Sequence, residues 1–209
     1  MQMKTLVSVL ALSLAIYGTV TGTRATASEL TGEAMLTALK TGGYIVYFRH
    51  SISDTTQNDA DPIKIDDCAT QRNLSDAGRA QAKKIGSAFQ AFGIGVDKAL
   101  SSPYCRTKET AKLAFDKAEQ SSVGALFYSL GLSKDDAAKA GADLKKLLST
   151  APKSGSNTVL VGHTSNLKEV AGVWPKKEGG AYVFQPDGNG GFKLIGSLDP
   201  ADFDKKPAS

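Results

Sequence analysis

Tyr44-Ile45-Val46-Tyr47-Phe48-Arg49-His50 is the stretch on which the fold turns. An unbroken apolar run rich in β-branched and aromatic residues, with no polar residue at alternate positions, describes a strand covered on both faces. It stops at an Arg-His pair. A second run, Thr158-Val159-Leu160-Val161, stops in the same way at Gly162-His163. These are the only 2 histidines in the chain, and both fall where a buried strand gives way to a polar turn. Histidine is the side chain most easily used as nucleophile, base or ligand near neutral pH, so their placement carries unusual weight.

Working outward, Glu29 to about Lys40 reads as a helix ahead of the first strand, and a polar stretch from Ser51 to Asn73 follows it. Ser75 opens a long helix reaching about Phe92. Its apolar positions Ala77, Ala80, Ala82, Ile85, Ala88 and Phe89 approximate one face, and Gly93 and Gly95 close it. A short strand over Ala99 to Ser101 runs into Ser102-Pro103, and a helix follows from Arg106 to about Phe115. Asp135 to Ser149 is helical with Ser133 as its cap, Thr158 to Val161 is the third strand, and Asn166 to Val173 a short helix. Tyr182-Val183-Phe184 and Phe192 to Ile195 flank Pro186-Asp187-Gly188-Asn189-Gly190-Gly191 and read as a hairpin. No helix follows that glycine cluster, so it is not a dinucleotide loop.

Strands alternating with helices predict an α/β fold: a three-layer α/β/α sandwich whose mostly parallel central sheet carries an antiparallel C-terminal hairpin at one edge. In such sheets ligands bind beyond the carboxyl ends of the strands. Arg49-His50, Ser101-Ser102-Pro103-Tyr104-Cys105-Arg106 and Gly162-His163 each follow one strand, so residues far apart in the chain are expected to converge on one crevice.

The 209 residues suit one domain of ordinary size with average apolar content. Residues 1–27 read as an export signal and 28–209 as a single domain. Lys4 supplies the positive start, Leu6 to Tyr17 an apolar run of about a dozen residues, and Ala25-Thr26-Ala27 a small-x-small cleavage site. The run is shorter than the roughly 20 residues a spanning helix needs, so the expectation is a periplasmic or secreted protein with no stable membrane insertion after cleavage, the rival being an uncleaved anchor. The formal charge is +4, and Lys4 and Arg24 account for two of those positive charges. That leaves little electrostatic footing for nucleic acid and points to a small anion as partner.

Two arginines and two histidines in one crevice suit a phosphoryl group. Guanidinium is a permanently charged, planar fork of donors that matches phosphate oxygens. Fixed cations around a phosphoryl in transfer stabilise its spread negative charge. The same cations disfavour imidazolium and so keep a nitrogen lone pair free for in-line attack. The rival use of histidines is zinc, but neither His-Glu-x-x-His nor Cys-x-x-Cys is present, and no metal or other cofactor is expected. A cysteine-based phosphate loop is also disfavoured, because Cys105 is followed at once by Arg106 rather than after five residues.

Arg49-His50, the stretch from Leu100 through Arg106 to Ala111, and Val161-Gly162-His163 resemble, in order, the three signatures of the histidine phosphatase superfamily, the phosphoglycerate mutase-like fold. Asn73-Leu74-Ser75-Asp76-Ala77-Gly78 resembles that family's Leu-Thr-x-x-Gly helix opening. The resemblance implies that His50 is the nucleophile that becomes phosphorylated, that Arg49 and Arg106 clamp the phosphate oxygens, and that His163 lines the same pocket before water hydrolyses the phosphohistidine. Ser51 stands where the family usually has glycine. Thr164 after His163 speaks against the acid-phosphatase and phytase branch, which has an aspartate there. Many members instead supply a glutamate acid from the region equivalent to Ala125 to Leu132, which here holds no carboxylate. The general acid is therefore unassigned: Asp54, Asp135 and Asp136 remain as candidates, but each reads more readily as a loop or helix-start charge. Some small members work without a dedicated acid on substrates with good leaving groups, such as phosphohistidine.

The segment Ser51 to Asn73 reads as the determinant of substrate choice. It carries Asp54, Asp59, Asp61, Asp66 and Asp67, and Arg72 near its end is either a third phosphate contact or a surface arginine. Cys68 and Cys105 flank the expected crevice, either as a disulfide pinning this loop beside the clamp or as two buried thiols. The leading function is an exported phosphohydrolase acting on a small phosphomonoester or a phosphorylated envelope component such as a lipopolysaccharide sugar. The alternative is a phosphate-binding protein that keeps the clamp without turnover. A mutase ranks third, because the phosphoglycerates it would isomerise are cytosolic.

Overall fold

A computed structural model describes residues 29–207. The signal expected over 1–27 lies outside them, and among the described residues no helix is long and apolar enough to cross a membrane. Seven strands form one sheet in the order β1-β7-β6-β2-β5-β3-β4. They are β1 (Leu30–Thr31), β2 (Ile45–Arg49), β3 (Val96–Ser101), β4 (Glu119–Ser122), β5 (Asn157–Gly162), β6 (Ala181–Pro186) and β7 (Phe192–Leu198). β6 alone runs against its neighbours, pairing antiparallel with both β2 and β7, while β2, β5, β3 and β4 form a parallel block. The expected hairpin is therefore β6–β7, with only the two-residue β1 outside it.

The continuous apolar runs are explained by burial on both faces. Along β2, Val46 and Phe48 enter one core with Met35, Leu36, Leu39, Ile85, Phe89, Phe115 and Phe203. Ile45 and Tyr47 enter the other, with Leu126, Leu144, Leu148, Leu160, Leu167 and Phe184. α1 (Gly32–Leu39), α2 (Asp76–Ala91) and α3 (Cys105–Ala114) cover the first face, and α4 (Lys134–Ser149) and α5 (Thr164–Ala171) the second. The three-layer sandwich follows from side chains of period two feeding two helical layers.

The capping expectations hold at Ser75, whose hydroxyl accepts from Gly78 N at 3.1 Å, and at Ser133, which accepts from Asp136 N at 3.2 Å. Three details differ from the reading of the sequence. β4 is a wholly exposed edge strand of polar residues, Glu119-Gln120-Ser121-Ser122, with no apolar periodicity to announce it, held by its parallel ladder with β3. β1 is too short to carry a pattern. α5 begins at Thr164 rather than Asn166, because the chain turns directly from β5 into the helix with His163 as its N-cap.

Candidate active site

β2 and β5 are parallel neighbours with Arg49 opposite Gly162. His50 N then donates to Gly162 O at 3.1 Å, so the two histidines leave adjacent strands side by side with ring centroids 5.6 Å apart. Arg106 arrives from the first turn of α3, next along the sheet, because β3 ends at Ser101 and the Ser102-Pro103 turn feeds that helix. Arg49, His50, Arg106 and His163 line one cavity of about 350 Å³, together with Asn58, Asp59, Arg72, Tyr128 and Thr164. The convergence expected from strand ends is thus met, and Arg72 takes its place as a third guanidinium facing the hollow.

His50 is buried and oriented. Its Nδ1 lies 2.8 Å from the carbonyl oxygen of Ser51, which can only accept, so Nδ1 carries the proton and Nε2 the lone pair. Burial first, then the positive charge of Arg106 and more weakly Arg49 and Arg72, pushes its pKa down from 6.5 to about 3. His163 is depressed in the same direction by burial, then by His50 and the same arginines. Both rings are therefore neutral at physiological pH.

The backbone around His163 is locked by Tyr47. Its hydroxyl donates to His163 O at 2.7 Å and accepts from His163 N at 3.0 Å. Any Cβ on residue 162 would fall on that hydroxyl, so the glycine before the histidine is a consequence of the tyrosine beneath it. On the ring side, His163 Nε2 is 3.0 Å from Ser102 Oγ. A parallel arrangement holds the other turn: Ser75 N donates to Ile52 O at 3.1 Å, and Gly78 leaves room for that carbonyl where a side chain would collide with it. The Leu-Ser-x-x-Gly pattern is thus the seat of the loop that follows His50.

The three guanidinium groups are only partly satisfied. Arg49 spends Nη1 on Lys176 O at 2.6 Å and Nη2 on Glu178 Oε1 at 3.2 Å. Arg106 spends Nη1 on Asp59 Oδ1 at 2.9 Å and Arg72 O at 3.3 Å, and its guanidinium stacks 4.5 Å from the Tyr104 ring centre. The Nε atoms of Arg49, Arg72 and Arg106 are all buried without a partner. Buried donors are normally paired, and three unpaired ones beside a common hollow suit a multi-oxygen anion.

Asp54, one of the acid candidates the sequence offers, does not line this cavity. It is half-buried, and its carboxylate accepts from Thr56 Oγ1 at 2.7 Å and Thr56 N at 2.9 Å, which hold its pKa below the usual carboxylate value. A carboxylate so stabilised in its ionised form and absent from the cavity wall is no proton donor to it. Asp135 and Asp136 occupy the first turn of α4. The carboxylate that does face the cavity is Asp59, tied to Arg106 and to Arg72 N at 2.8 Å. Within the polar loop nothing in the sequence separates it from its four acidic companions. Glu178, Tyr47 and Tyr128 are likewise invisible to local motifs, since each reaches the site through pairing made at long range. Cys68 and Cys105 form the disulfide, with Cα atoms 5.7 Å apart, and among the described residues no free cysteine remains.

The family model of the histidine phosphatase superfamily (branch 1) matches residues 56–123, a span that holds Arg72 and Arg106 but neither histidine. Among solved structures, the protein histidine phosphatase SixA complexed with tungstate superposes with a TM-score of 0.53 at 12% identity, covering 76% of this chain and 98% of that one. Phosphoserine phosphatase from Entamoeba histolytica in complex with 3-phosphoglyceric acid gives 0.52 at 15%, covering 77% and 98%. The mycobacterial glucosyl-3-phosphoglycerate phosphatase gives 0.51 at 16%, covering 73% and 97%. At these identities the likeness establishes the fold. Among curated proteins no sequence match is found.

Proposed function

We propose that this chain is a phosphatase that cleaves a small phosphomonoester through a phosphohistidine on His50. The observation that carries the reading is the state of that ring: Nδ1 is committed as donor to Ser51 O, which leaves the Nε2 lone pair for attack, and the cavity beside it is walled by three arginines with unpartnered Nε donors. Arg49, Arg72 and Arg106 hold the phosphoryl oxygens and offset their charge. His50 Nε2 attacks phosphorus, the alcohol departs, and His163 lines the pocket as a second neutral imidazole. Water then releases phosphate. The tungstate held by SixA is a tetrahedral oxyanion, and the phosphoserine phosphatase holds a phosphorylated small acid; a pocket of this size suits ligands of that class.

The further readings belong to the same proposal. Export to an oxidising space is supported by the hydrophobic run at Leu6 to Tyr17 and by the Cys68–Cys105 disulfide. A phosphorylated envelope component is the substrate such a location favours. The binding-protein reading rests on one observation, that the carboxylate in the cavity is engaged by Arg106 rather than free to donate a proton. Mature protein incubated with p-nitrophenyl phosphate separates the two. Hydrolysis, with a phosphoenzyme labile in acid and stable in base that disappears in His50→Ala, is the expected result. Phosphate binding without turnover on this activated ester would replace the enzyme by the binder.

A further inference from the structure

We propose that Glu178 is a positioning residue that keeps the phosphorylated His50 protonated on Nδ1, and so sets the rate at which the phosphoenzyme is hydrolysed. This rests on the phosphohistidine reading above. Glu178 sits between α5 and β6, beyond the residues the family model matches. It is not a solvated surface acid. Oε1 accepts from Arg49 Nη2 at 3.2 Å and from Ser53 Oγ at 2.8 Å, and Oε2 accepts from Ser53 N at 3.3 Å. Its own carbonyl accepts from Gln81 Nε2 at 3.1 Å, Gln81 Oε1 accepts from Ile52 N at 3.1 Å, and Gly179 N donates to His50 O at 2.9 Å. A carboxylate held from so many sides is fixed in place, and it is fixed with Oε1 3.9 Å from His50 Nδ1.

The chemistry explains why that atom matters. In the first half-reaction the Nε2 lone pair forms the P–N bond, the P–O bond to the alcohol breaks, and the departing alkoxide takes a proton from solvent. The product is an N-phosphoimidazolium with the original proton still on Nδ1. In the second, water adds to phosphorus, the P–N electron pair returns to Nε2 to give neutral imidazole, and both water protons leave with dihydrogen phosphate. If Nδ1 loses its proton first, the group expelled is imidazolide, a far poorer leaving group, and the phosphoenzyme stalls. The charges facing the ring work against that proton: Arg49 from β2, Arg72 from the polar loop and Arg106 from α3, with His163 neutral opposite and Tyr128 on the wall. Asp59 faces the cavity on the Arg106 side, paired with that arginine as Glu178 is with Arg49, and of the two only Glu178 approaches His50 Nδ1. Glu178 is the carboxylate on the Nδ1 side, and an opposite charge at this distance favours the protonated form.

Quench-flow measurement of phosphoenzyme formation and decay from pH 5.5 to 9, on wild type and Glu178→Gln, tests this. Gln keeps acceptor and shape and removes the charge. Expected are formation close to the wild-type rate, decay about ten-fold slower at pH 8, and an alkaline limb of decay moved down by about one pH unit, with the difference vanishing at pH 5.5. A deficit confined to formation or KM, or a slowing independent of pH, would reduce Glu178 to a brace for Arg49 and overturn the proposal. Should Glu178→Gln not fold, the wild type alone decides: NMR titration of Nδ1 in the phosphorylated protein must show the proton retained to higher pH than in the same phosphohistidine after denaturation, and retention only to equal or lower pH overturns it. No phosphoenzyme in wild type, or turnover surviving in His50→Ala, would instead sink the phosphohistidine reading itself.

Discussion

In the proposed reaction His50 owes its readiness to the absence of a charge rather than to a base. With its pKa pushed down to about 3 by burial and then by Arg106, the ring keeps its lone pair well below neutral pH. Once the ionisation of the substrate is accounted for, kcat/KM is expected to stay level from pH 7 to 5; an acid limb near 6.5 would contradict the depressed histidine. Arg106 is the most deeply enclosed of the three arginines at the cavity, and its fork geometry is what lysine lacks. Arg106→Lys should lower kcat/KM on p-nitrophenyl phosphate by about 10²-fold, measured in initial rates with folding checked by circular dichroism. Gly162→Ala should displace Tyr47 from the His163 backbone and destabilise the fold by about 1–3 kcal/mol, read by urea denaturation. Of the site residues, those in sequence-local motifs at strand ends, Arg49, His50, Arg106 and His163, could be read directly. Asp59 could be seen only as one of five loop acids, and Glu178 not at all, because what selects them is a partner brought from another element.

At the scale of elements, the loop between β2 and α2 is what the site depends on most. It lacks regular structure beyond a short 3-10 turn at Cys68–Thr70, yet it delivers Asn58, Asp59 and Arg72 to the cavity. Cross-links substitute for a core. Gln71 accepts from Cys105 N at 2.9 Å and donates to Ile65 O at 2.9 Å, Asn73 Nδ2 donates to Cys68 O at 2.8 Å, and the disulfide joins the loop to the first residue of α3, beside Arg106. Replacing both cysteines by serine should cost about 2–4 kcal/mol in thermal or urea unfolding. It should also raise KM more than it lowers kcat, since His50 and His163 are held by the strands and only the loop-borne contacts loosen. An unchanged KM in the double variant would show that hydrogen bonds alone hold the loop.

For the whole molecule, two histidines buried in neutral form make stability depend on pH. The unfolded chain binds a proton on each below about 6.5, while the folded chain resists it, so stability is full above that value and falls as the pH drops toward 3, at up to about 1.4 kcal/mol per unit for each ring. The melting temperature should fall between pH 7 and 5, and His163→Gln should flatten the slope; an equal slope in that variant would mean that other groups take up the protons. The sandwich itself was determined by the sequence, because unbroken apolar strands alternating with amphipathic helices can bury their faces in few other ways, and polar motifs at strand ends must then lie along one rim. The tertiary structure alone decided which loop carboxylate enters the hollow, which glutamate comes to lie beside His50, and that a polar edge strand closes the sheet. Those outcomes depend on pairing across long stretches of chain, where charge and hydrogen bonding act through space and leave no period or spacing in the sequence.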